Sequence, residues 1–157
     1  SKRNSFARIF RGETMNEDNI RLWVKTRILR SMKADKEKVK SLIKSAELTS
    51  KVAKTVSLKE DSATLIFREI YESIRQLGEA RWLLLGYEPQ NHDISLESLK
   101  ELDIKEKVKL NFLDRFRQIR NDANYDGFIV SIFQANEIID FWDRCSEEII
   151  KRIKEIF

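Results

Sequence analysis

The chain has 157 residues, 36% of them charged, and a formal net charge of +4. This length fits one domain with one core, and four glycines and one proline allow too few turns for an all-β protein. Because 26 acidic residues nearly offset 30 basic ones, the overall charge does not by itself indicate nucleic acid as a partner.

The cysteine and hydropathy patterns bear on the compartment. Cys145 is the single cysteine, so no internal disulfide can form, and a reducing environment is favoured. No apolar run approaches the roughly 18 residues that a membrane-spanning helix needs. We therefore expect a cytoplasmic protein with no membrane contact. One histidine and one cysteine cannot supply a zinc shell, so we expect no metal site and no cofactor.

The N-terminal part is read as an arm and an added helix. Residues 1–14 are basic and have no helical period, so we expect a mobile arm. The spacing Thr14-x-x-Glu17 is typical of a capping box. The apolar positions that follow predict an extra N-terminal helix over residues 15–34; they are Ile20, Trp23, Val24, Ile28 and Met32. A second apolar series runs to Thr55, and periodicity alone leaves open whether there are one or two helices.

Residues 57–89 predict the clearest helix of the first half. Ser57-x-x-Glu60 has capping-box spacing, and apolar residues then follow one helical face as far as Leu85. Gly86 stands at a C-cap position, and Pro89 prevents the helix from resuming. Gly78 costs about 1 kcal/mol relative to alanine inside a helix, which indicates a close crossing with another helix.

The second half predicts three more helices. Residues 90–93 form a polar loop, and residues 95–101 form a short helix. Capping boxes at Asp103-x-x-Glu106 and Ser131-x-x-Gln134 open the other two. The apolar face of the first of these comprises Ile104, Val108, Phe112, Phe116, Ile119 and Ala123, and that of the second comprises Ala135, Ile138, Ile139, Trp142, Cys145, Ile149, Ile153 and Ile156.

These elements predict an all-α fold. No strand-like alternation competes with the helical stripes. Long helices joined by short loops favour an antiparallel up-and-down bundle, with four to five core helices over residues 35–157 in addition to the N-terminal helix. Several apolar residues lie outside the main stripes, and a helix with so wide an apolar face needs a second surface. They are Trp82, Leu83, Ile132, Phe141 and Ile150. We therefore expect a homodimer.

The segment Arg117–Gly127 is the candidate polar site. Arg117, Arg120, Asn121 and Asn124 are three or four residues apart and share one face of a helix end. An arginine can donate two parallel hydrogen bonds to a phosphate, and Tyr125 offers a hydroxyl and a stacking face. This set suits a phosphodiester or a nucleotide. The alternative is structural, with arginines complementing the helix dipole before a turn. The residues alone leave both open.

Two segments resemble the HEPN family (higher eukaryote and prokaryote nucleotide-binding domains). They are residues 84–99, LLGYEPQNHDISLESL, and residues 120–127, RNDANYDG, followed by a long final helix. The resemblance covers about residues 35–157. It implies a helical bundle that dimerises, binds RNA or a nucleotide, and pairs with a small nucleotidyltransferase as toxin and antitoxin. His92 lies in the first segment and is a candidate binding residue, although spacing alone favours a solvent-exposed loop.

The resemblance also implies a possible catalytic set. Many members are metal-independent ribonucleases with an arginine, a polar residue, and a histidine four to six residues after the arginine. Arg120 and Asn121 match the first two positions, and Tyr125 stands where the histidine would be. A phenol with a reference pKa of about 10 exchanges protons poorly near neutral pH. RNA or nucleotide binding is therefore the leading hypothesis, with a ribonuclease using Arg120, Asn121 and Tyr125, or a non-catalytic structural adaptor, as the alternatives.

Overall fold

A computed structural model describes residues 17–157. The predicted basic arm, residues 1–14, and the Thr14 end of the first capping box lie outside the described residues. The helices and strands are α1 (Glu17–Lys25), β1 (Leu29–Ser31), α2 (Lys36–Ala53), α3 (Ala63–Leu84), β2 (Tyr87–Pro89), α4 (Leu113–Tyr125) and α5 (Ile132–Lys154), with 3-10 helices at Asp93–Ser98 and Lys107–Phe112. The prediction of an all-α helical bundle is confirmed.

Helix α3 is the centre of the bundle, and most of its residues are buried. Helix α2 packs along it in the opposite direction. Near one end, Lys38 Nζ lies 3.9 Å from Glu79 Oε1, and further along α2 the Gln76 amide donates to Ser45 Oγ at 3.1 Å. Because the residue number rises on one helix as it falls on the other, the two helices are antiparallel.

Helix α5 runs antiparallel to the segment that ends in α4. Arg115 donates to the Glu137 carboxylate at 2.6 Å, and Lys109 donates to Asp140 at 3.0 Å. Here too the numbers rise on one side and fall on the other. Bonds of this kind between exposed side chains contribute little energy. The register of the pair comes instead from the apolar stripe of α5, which is buried from Ala135 to Ile153.

The prediction of one helix over residues 15–34 is wrong. Helix α1 ends at Lys25, Arg27 adopts a positive φ of 63°, and Ile28 N–H donates back to Trp23 O. Strand β1 then pairs antiparallel with β2, with Leu29 opposite Pro89. Residues far apart in sequence make this small sheet, so the local periodicity that placed Ile28 on a helical face could not anticipate it.

Within residues 17–55 there are therefore two helices, because the chain breaks before α2. Asp35 is the N-cap of α2, and its carboxylate accepts a hydrogen bond from Lys38 N–H at 3.0 Å. This satisfies one of the N–H groups that a helix start leaves without an intrahelical partner.

Trp82 does not need a second subunit, contrary to the sequence argument. It is fully buried by α1 and β2 of the same chain, with Trp23 and Tyr87 packed edge-on at ring distances of 6.0 and 6.1 Å. Its Nε1–H donates to Ile94 O at 2.8 Å. Leu83 and Phe141 are also buried, Ile150 is partly buried, and Ile132 is exposed. Because the chain itself covers most of this apolar surface, these residues do not argue for a dimer.

The capping boxes predicted at Ser57 and Asp103 are wrong. Helix α3 begins at Ala63, and the Ser62 hydroxyl donates to Ser57 O at 2.6 Å within the preceding turn. Helix α4 begins at Leu113, after a 3-10 helix that has no side-chain cap. Both sites have the spacing of a capping box, but the chain makes turns there.

The 3-10 helix at Lys107–Phe112 also changes the apolar face. Val108 is 77% exposed and Phe112 is 37% exposed, although both were expected on the buried stripe. A 3-10 helix has three residues per turn, so its side chains fall out of phase with a 3.6-residue stripe. By contrast, the Ser131 capping box is confirmed in full, since both of its hydrogen bonds with Gln134 are present.

The loop after α3 is positioned by two glycines. Gly86 has a φ of 92° directly after the C-cap of α3, which confirms the predicted helix end. Gly78 marks a close approach to the backbone of Ser95, which lies in the 3-10 helix Asp93–Ser98, so the predicted close contact with another helix is confirmed. The short helix expected over residues 95–101 is instead the 3-10 helix Asp93–Ser98. This contact holds the Asp93 end of the loop beside α3.

Candidate functional site

The candidate site is built where α4 crosses α3. Arg68 on α3 donates to Ala123 O at 3.0 Å, and the guanidinium of Arg120 lies over the ring of Tyr71, with Cζ 5.3 Å from the ring centroid. The two helices run antiparallel here, since residues 120 and 123 face residues 71 and 68. A cation over an aromatic face is attracted to it, so the Tyr71 ring holds the Arg120 side chain.

Arg120 and Asn121, which are neighbours in sequence, also contact each other through their side chains. Arg120 Nη1 donates to Asn121 Oδ1 at 2.9 Å, and both residues are half-buried. The other N–H groups of Arg120 make no hydrogen bond to any residue within 17–157. The Nε–Nη2 edge of the guanidinium therefore remains available as a fork for two oxygens of one ligand.

Arg117 lies one turn earlier on the same face. Its Nη2 is 3.3 Å from Asp114 Oδ1, and that carboxylate also receives Lys100 Nζ at 2.7 Å. Lys100 is also paired with Glu97 at 2.6 Å, so the charges of Arg117 and Lys100 are matched by two carboxylates at this end of the site. Arg117 is also close enough to Tyr71 to act on the pKa of its hydroxyl.

Tyr125 does not join Arg120. It is the last residue of α4 and is 77% exposed, and in the described part of the chain its hydroxyl makes no hydrogen bond. Five residues correspond to a rotation of about 140° around the helix axis, which turns Tyr125 away from Arg120. Asn124 is exposed at the same helix end. The proposed catalytic set of Arg120, Asn121 and Tyr125 is therefore not assembled within one chain.

Tyr71 belongs to the site, although the sequence reasoning missed it. It is 1% exposed, and its hydroxyl is buried without a hydrogen-bond partner among the described residues. Burial raises the pKa of Tyr71 to about 12, with the nearby Arg120 opposing the shift and Asp93 adding to it. A tyrosine on an apolar helix face reads as a core aromatic, so no signal in the sequence singled it out.

His92 borders the site. It is exposed and precedes the 3-10 helix Asp93–Ser98, where its carbonyl accepts from Ser95 N–H at 3.3 Å. The next residue, Asp93, is near enough to raise the pKa of Tyr71. The 84–99 segment and the 120–127 segment thus meet around Tyr71. The imidazole of His92 makes no hydrogen bond within residues 17–157.

No family model, curated protein or solved structure matches the chain.

Tyr71, Arg117, Arg120 and Asn121, which we call the Arg120 cluster, can donate hydrogen bonds to a ligand. Within residues 17–157, no group of three or more His, Cys, Asp or Glu residues is placed to hold a metal ion. In the same range, no helix is long and apolar enough to cross a membrane. The cluster itself presents guanidinium N–H groups and a phenolic O–H, which suit an anionic ligand.

An apolar surface adjoins the polar cluster. We call it the 125–133 patch; its exposed members are Tyr125, Phe128, Ile129, Ile132 and Phe133. Val130 in the middle is buried, and its N–H donates to Thr64 Oγ1 at 3.0 Å, which anchors the segment against α3. Contiguous exposed apolar side chains of this kind mark interaction sites.

A separate groove of about 770 Å³ lies between α2 and α5. It contains none of the predicted site residues; its lining includes Trp142, Ile150, Lys51, Lys54, Lys151, Lys154, Glu47, Glu147 and Glu155. Acidic and basic side chains are mixed there, and Lys54 already pairs with Asp143 at 2.5 Å. The Arg120 cluster is the better candidate, because the Nε–Nη2 edge of Arg120 and the Tyr71 hydroxyl make no hydrogen bond within residues 17–157.

Proposed function

We propose that this protein is a HEPN-like dimer that binds RNA or a nucleotide through the face formed by Arg117, Arg120, Asn121 and Asn124. One observation carries the proposal: the Arg120 guanidinium is held on the Tyr71 ring and by Asn121, and its Nε–Nη2 edge makes no hydrogen bond within residues 17–157. A guanidinium fork matches two oxygens of a phosphate, and pre-positioning reduces the entropy lost on binding.

Base recognition is assigned to the exposed end of α4. Tyr125 presents an accessible ring, and single-stranded RNA is commonly bound by stacking bases on such rings. Asn124, one residue earlier, is exposed and offers an amide to a base or ribose. His92 borders the same face. In this arrangement phosphate and base are bound by adjacent turns of one helix.

The dimer is assigned to the 125–133 patch. The patch starts at Tyr125, the last residue of α4, and so follows directly on the helix that carries Arg120. A second copy packed there would cover exposed Phe128, Ile129 and Phe133 and would bring two Arg120 faces towards each other. A small nucleotidyltransferase, expected from the HEPN resemblance, is the proposed partner in a toxin–antitoxin pair.

The binding proposal is tested by fluorescence anisotropy with labelled short RNAs and nucleotides. Arg120→Ala removes the forked contact, and hydrogen bonds to charged groups contribute about 1.5–3 kcal/mol, so we expect affinity to fall at least about tenfold. Arg115→Ala is the matched control. It removes the same charge from the same helix, but Arg115 pairs with Glu137 on α5, so we expect little change.

Comparing the two variants distinguishes binding at the Arg120 site from attraction to the overall positive charge of the protein. Equal loss in Arg115→Ala and Arg120→Ala would mean that binding depends on net charge alone. Binding by Arg120→Ala that equals wild-type binding would reject the assignment of the site.

A further inference from the structure

The hydroxyl of Tyr71 points to the ligand class. It is buried, it makes no hydrogen bond within residues 17–157, and the charged groups that act on it are Arg120, Asp93, Arg117 and Arg75. Three of these four are guanidinium groups, which only donate hydrogen bonds. A phenolic donor has therefore been placed among other donors, an arrangement that needs an acceptor.

The described neighbours do not supply that acceptor. Arg75 is committed to Glu72 at 2.6 Å and to Glu79 at 3.0 Å. Asp93 is the one acidic residue among the four charged groups that act on the Tyr71 hydroxyl, but it is exposed at the start of its 3-10 helix and does not hydrogen-bond to Tyr71. The uncommitted charge beside the hydroxyl is thus that of Arg120, supported by Arg117.

The hydroxyl is costly in the free protein. A buried polar group without a partner destabilises the folded state, and a phenylalanine would keep the ring contacts without that cost. Because burial raises the pKa of Tyr71 to about 12, the group stays protonated near neutral pH and keeps an O–H that can donate to a ligand. A ligand with an extra acceptor oxygen would use it.

We propose that Tyr71 and Arg120 form the closed end of a subsite for a terminal phosphate, such as the 5′-phosphate of an RNA or a nucleotide. This rests on the function proposed above. Two oxygens of the phosphate bind the Nε–Nη2 edge of Arg120, and a third accepts from the Tyr71 hydroxyl. Since the hydroxyl has no accessible surface, Arg120 makes the first contact with the phosphate from its position over the ring, and it moves off the ring only as the third oxygen reaches the hydroxyl.

The shape of the site favours a terminal over an internal phosphate. On its inner side the subsite is bounded by α3, which carries Tyr71, and by the 3-10 helix that starts at Asp93 and packs against Gly78. An internal phosphodiester must continue in both directions and has two free oxygens, whereas a terminal phosphate has three and continues in one direction. Only a terminal phosphate therefore has a third free oxygen that can reach the Tyr71 hydroxyl at the inner end of the subsite.

The experiment compares two RNAs of identical sequence, one with a 5′-phosphate and one with a 5′-hydroxyl, by anisotropy. We expect wild type to prefer the 5′-phosphate by more than about tenfold, because that phosphate gains the Arg120 contact as well as the Tyr71 hydrogen bond. Tyr71→Phe keeps the ring beneath Arg120 and should reduce this preference about tenfold, the effect of one charge-assisted hydrogen bond, while binding the 5′-hydroxyl RNA as wild type does. Tyr87→Phe, which removes the same atom from a buried tyrosine of β2 outside the proposed site, should keep the wild-type preference.

The outcomes separate this inference from the proposed function. Tight but equal binding of both RNAs by wild type overturns the terminal-phosphate subsite and leaves RNA binding intact. Full preference in Tyr71→Phe also overturns it. Absence of binding to either RNA overturns both. Circular dichroism of each variant establishes that the fold is retained, so that a lost preference is attributed to the hydroxyl.

Discussion

Gly78→Ala should destabilise the protein although it improves helix propensity. A Cβ at this position would lie 2.1 Å from the carbonyl oxygen and 2.7 Å from the carbonyl carbon of Ser95. Carbon and oxygen atoms that are not bonded normally approach to about 3.3 Å, so the two segments must separate by about 1.2 Å. The obstructing atoms belong to the backbone, and no change of rotamer removes the clash.

The magnitude follows from what the separation disturbs. The Ser98 hydroxyl donates to Gly78 O at 2.8 Å, Trp82 Nε1–H donates to Ile94 O at 2.8 Å, and Arg81 donates to Ser98 O. Overpacking typically costs about 1–3 kcal/mol, and one lost hydrogen bond costs about 1 kcal/mol. Alanine regains about 1 kcal/mol of helix propensity. We expect a net loss of about 2 kcal/mol in the free energy of unfolding.

Urea denaturation followed by far-UV circular dichroism measures this loss, and the melting temperature should fall by about 4–8 °C for a chain of this size. Glu69→Ala, at an exposed position of α3, is the control and should change stability by no more than about 0.5 kcal/mol. If Gly78→Ala were as stable as wild type or more so, alanine would be fitting freely, and the close packing of residues 93–98 against α3 would be refuted.

Two further predictions concern the site and its neighbouring surface. Tyr71→Phe should be at least as stable as wild type at neutral pH. The pKa of Tyr71 is raised from 10.0 in the unfolded chain to about 12 in the folded protein, so the hydroxyl ionises first in the unfolded chain. Wild type should therefore lose stability relative to the variant as the pH rises through this range. Urea midpoints at about pH 8 and about pH 11 check this, and a constant difference would contradict it. Phe133→Asp places a charge on the 125–133 patch and should convert the dimer to a monomer in sedimentation-velocity experiments. Val52→Asp, at an exposed position of α2, is the control and should not. A wild-type protein that is monomeric at every concentration rejects the dimer.

The all-α class and the position of the last helix could be predicted from the sequence, because both depend on patterns between residues a few positions apart. The stripe from Ala135 to Ile153 repeats at helical spacing, and the Ser131 box places the start of α5 where the structure has it. The same spacing misled at Ser57 and Asp103, where the box pattern occurs in turns. A capping box is one local preference, and long-range packing decides whether a helix begins there.

Contacts between distant segments could not be predicted from local patterns. Strand β1 forms by pairing with β2, about sixty residues away, and α1 covers Trp82 only once that pairing is made. The apolar surplus on α3, which argued for a second subunit, is thereby buried within the chain. The hydrophobic pattern of a helix predicts how much of its apolar surface must be buried, but it does not predict which segment of the chain buries it.

Some features of the candidate site could likewise be predicted from the sequence, and others depended on tertiary contacts. The sequence by itself determined that Arg117, Arg120 and Asn121 share one helix face, because residues three or four apart always do. Tertiary structure alone decided that Arg120 lies over Tyr71, that Asp93 approaches the same hydroxyl, and that Tyr125 points away. Helix geometry is set by the neighbouring residues of the chain, whereas the surroundings of a buried hydroxyl are set by helices that meet only when the core packs.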